Sequence, residues 1–167
     1  MEGTPAYASE LRSTVLEATK ILLSISDEQA ARRPAPDKWS AKEIIGHLID
    51  SANNNHRRFV IAPAKDDLVF EGYQQEFWVE TQQYQKADWQ ELVILWQAYN
   101  LHISFVMRTI PAAVREKEHS QHSLQRMAWK TIPSEESTTL DYLMADYVGH
   151  LKHHLQQIDA IIDGLEA

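Results

Sequence analysis

The sequence predicts an all-α fold, a bundle of four long helices with long inter-helix connections, and three observations carry that prediction. Apolar side chains recur at helical spacing in four separate stretches. Serine, threonine or aspartate stands at the cap position before three of them. Five glycines and six prolines in 167 residues leave those stretches unbroken.

The first helix spans about Thr4 to Ile25, with Leu11, Val15, Ala18 and Leu22 on one face. A proline-marked connector from Arg33 to Trp39 follows. Ser40, with Glu43 three residues on, forms a capping box that opens a second helix to about Val60. Pro63 to Ala87 is mixed, with Gly72 and several aromatics, and reads as a long connection holding a helical piece. Asp88 with Glu91 gives another capping signal, and a third helix runs to Ile110 before Pro111. Ala112 to Ser137 shows no sustained period and reads as a crossover loop with short extended pieces around Trp129. Thr138 or Thr139 caps the last helix, which runs to Asp163 with Gly164 as its C′ residue. Such helices bury their faces against one another as one domain over 1–167, and the core-facing side chains are the natural place for a site.

Composition narrows the function. The chain has no cysteine, which excludes a disulfide framework, thiolate ligands and a cysteine nucleophile, and suits a cytoplasmic protein. Its net charge of −8 repels a phosphate backbone on average and argues against nucleic acid as a partner. No charged-then-apolar leader and no apolar run of about 18 residues is visible, so no membrane partner is expected.

Eight histidines remain to be placed. On the last helix Leu140, Met144, Tyr147, Leu151, Leu155, Ile158 and Ile162 form the apolar stripe. His154 falls at the edge of that stripe and His150 just beside it, while His153 points away. His150 and His154 are therefore i and i+4, the spacing at which two imidazoles share a face. On the second helix His47 aligns with Ser51, Asn54 and Arg58 in a polar stripe. Periodicity leaves two readings of it open, a solvated face or one wall of a polar cleft. Asn100 lies inside the apolar face of the third helix, formed by residues including Trp96, Tyr99 and Ile103. A buried amide left unpaired costs roughly 1–3 kcal/mol, so Asn100 makes a structural hydrogen bond or faces a polar cavity. His102 points outward, His56 lies towards the apolar side of its helix, and His119 and His122 fall in the crossover loop.

Three stretches resemble the DinB-like superfamily. Lys38-Trp39-Ser40-Ala41-Lys42-Glu43-Ile44-Ile45-Gly46-His47-Leu48-Ile49-Asp50 is similar to that family's opening motif. Gly72-Tyr73-Gln74-Gln75-Glu76-Phe77-Trp78 and Asp88-Trp89-Gln90-Glu91-Leu92 resemble its middle region. Asp146 to Ile158, with Tyr147, His150, His153, His154 and Gln157, is similar to its terminal helix, and this motif is the most specific of the three. The resemblance implies an up-down four-helix bundle in which three histidines hold a divalent metal, here His47, His150 and His154. It also implies a set of small-molecule activities, among them bacillithiol S-transferases, mycothiol-dependent maleylpyruvate isomerase and metal-dependent hydrolases. Family members often dimerise, and the aromatic stretch from Tyr73 to Trp89 offers surface that a second copy could cover, so a homodimer is expected.

Three neutral imidazoles without a carboxylate leave coordination positions open, the pattern of a catalytic site. Imidazole suits zinc and nickel, as it does iron and copper, so the ligand set does not choose between them; zinc or nickel is expected, with iron or manganese as alternatives. The open position suits water for hydrolysis or a thiol held as its reactive thiolate. With no cysteine in the chain, that thiol belongs to a low-molecular-weight cosubstrate. Ser51, Asn54, Arg58 and Asn100 are the candidate residues for binding such a polar molecule, Arg58 being suited to a carboxylate or phosphate. Asp50 and Asp146 lie near the ligands in sequence, and Asp146 could fix a ligand's tautomer. A non-catalytic, stress-related metal- or ligand-binding bundle is the alternative from a different class.

Overall fold

Eight α-helices form within residues 4–166, the part of the chain that the computed structural model describes, with side chains described to 164. Four are long: α1 (Ala6–Leu22), α3 (Ala41–Ile61), α5 (Trp89–Thr109) and α8 (Leu140–Glu166). The others are short: α2 (Asp27–Ala31), α4 (Gln75–Gln82), α6 (Ala112–Arg115) and α7 (Leu124–Met127). Among the described residues there is no strand, and no helix is long and apolar enough to cross a membrane.

The helix starts follow the cap chemistry. Ser40 Oγ accepts the Glu43 amide and the Glu43 carboxylate accepts the Ser40 amide, closing the capping box of α3. Asp88 accepts the Glu91 amide at 3.0 Å at the start of α5. Thr139 is the residue that caps α8, accepting the Tyr142 amide at 3.1 Å, while Thr138 pairs with His119 in an isolated bridge. A further capping box, Ser26 with Gln29, opens α2, which the sequence reading passed over. Gly164 does not end α8: the helix continues to Glu166 and no described glycine has positive φ. The extended pieces of the crossover are not at Trp129 either. They are single bridges, Leu68 with His122 and His119 with Thr138.

Packing runs α1 against α5, α5 against α3, α3 against α8 and α8 against α1. Consecutive long helices α1 and α3 thus sit diagonally, as do α5 and α8, which is why the connections between them are long. The core holds Leu11, Ile45, Phe59, Trp96, Ile103 and Leu143, each at most 2% exposed. Large apolar side chains of this kind contribute about 1.5–3 kcal/mol each on burial. Trp89 locks the start of α5 to the end of α1, its indole N–H donating to the Leu22 carbonyl at 2.8 Å. Gly46 on α3 lets the Tyr84 ring come within the space a side chain would fill: an added Cβ would lie 2.1 Å from Tyr84 Cδ2.

Candidate metal centre

Because α3 and α8 pack side by side, the second turn of α3 meets the middle of α8, and His47 meets His150 and His154. The His150 and His154 Nε2 atoms are 3.0 Å apart, and the His47 and His150 Nε2 atoms 3.3 Å. Among the described residues this is the one group of three ligand atoms from His, Asp or Glu within 4.8 Å of one another. Three nitrogens each 2.0–2.1 Å from a common dication, at tetrahedral to octahedral angles, lie roughly 2.9–3.4 Å apart. The two measured spacings fit that range, and the third pair lies within 4.8 Å.

Electrostatics supports the same arrangement. Burial first, and the neighbouring histidines second, lower the pKa of His47 and His150 to about 3, and burial lowers that of His154. The imidazoles are therefore neutral at neutral pH, the ligating form. His154 Nδ1–H donates to Gln157 Oε1 at 2.7 Å, which leaves its Nε2 lone pair facing the other two rings. His47 is 1% exposed and packs on Trp39, ring centroids 5.2 Å apart, with no hydrogen-bond partner for its Nδ1. His153 is turned out of the group, exposed, with its ring 5.5 Å from that of Trp129.

A cavity of about 550 Å³ opens beside the triad, and His47 and His150 form part of its wall. From α3 it is lined by Ser51, Asn55 and Arg58, from α8 by Leu143, Asp146 and Tyr147. The segment entering α4, including Tyr73 and Glu76, closes one side, and the stretch from Arg126 to Trp129 the other. Asp146 holds that last wall in place by accepting the Trp129 and Lys130 amides at 2.8 and 2.7 Å. Gly149 admits the Trp129 ring, 2.9 Å from where a Cβ would stand.

The polar stripe of α3 is therefore a cavity wall rather than a solvated face. Ser51 and Arg58 belong to it, but Asn54 does not. Its side chain turns back to donate to the Asp50 carbonyl at 2.9 Å, and its neighbour Asn55 lines the cavity instead. The two asparagines lie about 100° apart on the helix, one on each flank of the stripe, and the packing of α8 and the α4 segment selects the flank. Asn100 also does not line the cavity. It is fully buried behind Tyr147, whose hydroxyl donates to Asn100 Oδ1 at 2.5 Å, while Asn100 Nδ2 donates to the Trp96 carbonyl. Asn100 thus orients a residue that does line the cavity. Asp146 supports a loop instead of a ligand tautomer, and Asp50 accepts from the Tyr84 hydroxyl at 2.7 Å and from Gln82.

The other histidines serve elsewhere. His119 Nδ1–H donates to the Asp66 carbonyl and His122 Nε2–H to the Glu136 carbonyl, stitching the crossover loop to its surroundings. His56 and His102 face each other across α3 and α5, ring centroids 5.1 Å apart. Sequence reasoning missed Asn55, Tyr73 and Glu76. The last two lie in a stretch with no helical period to place them.

A helical bundle with three neutral imidazoles converging beside a polar cavity defines a class of metalloprotein-like bundles. This chain belongs to the DinB superfamily, whose family model matches residues 10–158. It is similar to the solved structure of YfiT from Bacillus subtilis, described as a probable metal-dependent hydrolase with an unusual four-helix bundle topology. The two superpose with a TM-score of 0.78 at 18% identity, covering 99% of this chain and 92% of YfiT. At that identity the likeness establishes the fold. No curated protein matches the chain.

Proposed function

We propose that the chain is a metal-dependent small-molecule enzyme of the thiol S-transferase type, with His47, His150 and His154 holding one divalent cation. The observation that carries this reading is the convergence of three neutral Nε2 atoms, 3.0 and 3.3 Å apart, at the edge of a 550 Å³ cavity. His47, His150 and His154 would hold the dication, zinc or nickel by ligand preference, which when bound would supply Lewis-acid stabilisation of a small thiol as its thiolate. The chain's own residues do the rest. Ser51 offers a hydroxyl to a polar ligand, Arg58 offers a positive charge, and Tyr147, its hydroxyl tied to Asn100, presents its ring as part of the wall. Trp129, pinned through Asp146, shields the site from water on one side. With no cysteine in the chain, the sulfur comes from a small cosubstrate.

A hydrolase is the second reading, and Glu76 favours it. Its carboxylate lines the cavity and interacts electrostatically with His47, and the Gln75 amide holds it below the ordinary glutamate range. A carboxylate there can take a proton from attacking water. Within the aromatic stretch Trp89 and Tyr84 are buried in their own bundle while Phe77 is exposed, and exposed Phe77, together with Ile94, Leu95 and Phe105 on α5, supports a homodimer.

The test begins with elemental analysis of untagged protein purified without added metal. Metal-dependent conjugation of a small thiol to an electrophile, lost on chelation and restored by zinc or nickel, supports the transferase. Metal-dependent ester or amide cleavage without thiol supports the hydrolase. Stoichiometric metal with neither reaction supports a non-catalytic binding bundle. Light scattering reports whether the protein is a dimer.

A further inference from the structure

Among the described residues three lysine or arginine side chains are buried, Lys42, Arg58 and Arg115. Two of them have carboxylate partners: Lys42 pairs with Asp27 at 2.7 Å, and Arg115 with Asp141. Arg58, 6% exposed, forms no ion pair among the described residues. Its hydrogen bonds go to neutral oxygens, from Nη1 to Asn55 Oδ1 at 3.2 Å and from Nη2 to the Glu71 carbonyl at 2.7 Å. A guanidinium has five N–H donors and does not shed its proton at neutral pH, so a buried one without an anion bears an uncompensated desolvation cost. Nor does the Asp146 carboxylate in the same cavity serve it, being taken up by the Trp129 and Lys130 amides.

We propose that Arg58 is the anchor for an anionic group, a carboxylate or phosphate, on the small molecule whose other end reaches the histidine triad. This rests on the reading of the triad cavity as the substrate site. The geometry also sets the ligand's length. The guanidinium folds back one turn onto Asn55, and from His47 to Asn55 the helix axis rises about 12 Å. A ligand that reaches both the triad end and the Arg58 end of the cavity is therefore elongated, spanning levels of α3 that are about 12 Å apart. Arginine's fork matches the two oxygens of such an anion and holds that end in register.

Calorimetric titration of the metal-free protein in low-chloride buffer, with succinate and with inorganic phosphate, tests the anchor. At least one anion should bind one-to-one, and the better of the two names the anion class. Arg58→Gln should weaken that binding about tenfold or more, and Arg58→Lys, which keeps the charge and loses the fork, by a smaller factor. Should Arg58→Gln fail to fold by circular dichroism, a clear loss in Arg58→Lys carries the test. Absence of binding to the wild type, or unchanged affinity in the variants, overturns the proposal. On metal-loaded protein, mercaptooctanoate should bind more tightly than mercaptoacetate, and Arg58→Gln should erase that difference. A preference for the short thiol overturns the length argument. Metal stoichiometry in Arg58→Gln and anion binding in His150→Ala separate the two readings. Anion binding that survives without any metal uptake sinks the enzyme reading alone, and metal uptake with no Arg58 effect sinks the anchor alone.

Discussion

His47 and His150 stand 103 residues apart in the chain and present their Nε2 atoms to each other at 3.3 Å. Two neutral imidazole nitrogens at that distance share one hydrogen bond at most, and His154 Nε2 stands 3.0 Å from one of them. Three such lone pairs are satisfied together by a cation at their focus. Rigid helices α3 and α8 hold the approach, so the site is formed by the bundle's packing and not by a loop.

Single substitutions of the triad test this directly. His47→Ala, His150→Ala and His154→Ala should each lose metal measured by elemental analysis, because two imidazoles bind far more weakly than three. His153→Ala should retain full stoichiometry, its ring lying against Trp129 outside the group. Metal kept in all three triad variants would overturn the assignment.

The Tyr147–Asn100 pair should matter for stability before chemistry. Asn100→Ala leaves the fully buried Tyr147 hydroxyl without its acceptor, a loss of about 1–3 kcal/mol. Denaturant unfolding should show that loss, and metal stoichiometry should be unchanged.

At Gly46 the prediction is steric. An alanine Cβ would lie 2.1 to 2.5 Å from three atoms of the Tyr84 ring, so the ring and the turn that carries it must shift. Overpacking of this kind costs about 1–3 kcal/mol, and thermal melts of Gly46→Ala should show it. A melting temperature equal to wild type would mean that the turn around Tyr84 yields freely.

Asp146→Ala removes the acceptor of two amide N–H groups and should release the Trp129 wall. Hydrogen exchange at the Trp129 and Lys130 amides should accelerate, while protection in the middle of α5 stays as it was. Unchanged exchange would show that the Trp129–Gly149 packing holds the wall alone.

The pH dependence of the metal-free protein follows from the buried imidazoles. Folding lowers the pKa of His47 and His150 from 6.5 to about 3. Above 6.5 neither the folded nor the unfolded chain binds those protons, and the contribution vanishes. As pH falls below 6.5 the unfolded chain takes up protons that the folded one refuses, so stability declines towards pH 3. Asp50 and Asp146, both pushed up by burial, act in the opposite direction above 3.8. A melting series from pH 7 to 5 should therefore be shallower for His150→Ala, with one imidazole fewer, than for wild type. Equal slopes would contradict the burial argument.

Local chemistry was enough to read the long helices and half of the site. The boundaries of α3 and α5 follow from Ser40, Glu43 and Asp88, because a cap bonds amides within one turn. The i, i+4 pairing of His150 with His154, and the exclusion of His153, follow from helical periodicity, which fixes directions around one axis. What periodicity does not fix is the angle at which one helix meets another. The triad needed the register of α3 against α8, and only that packing turned the stripe of His47, Ser51 and Arg58 into a cavity wall. The same packing chose Asn55 over Asn54, put Tyr147 between Asn100 and the cavity, and brought Tyr73 and Glu76 in from a segment without period. Those choices depend on contacts between residues far apart in the chain, whose energies no single helix contains.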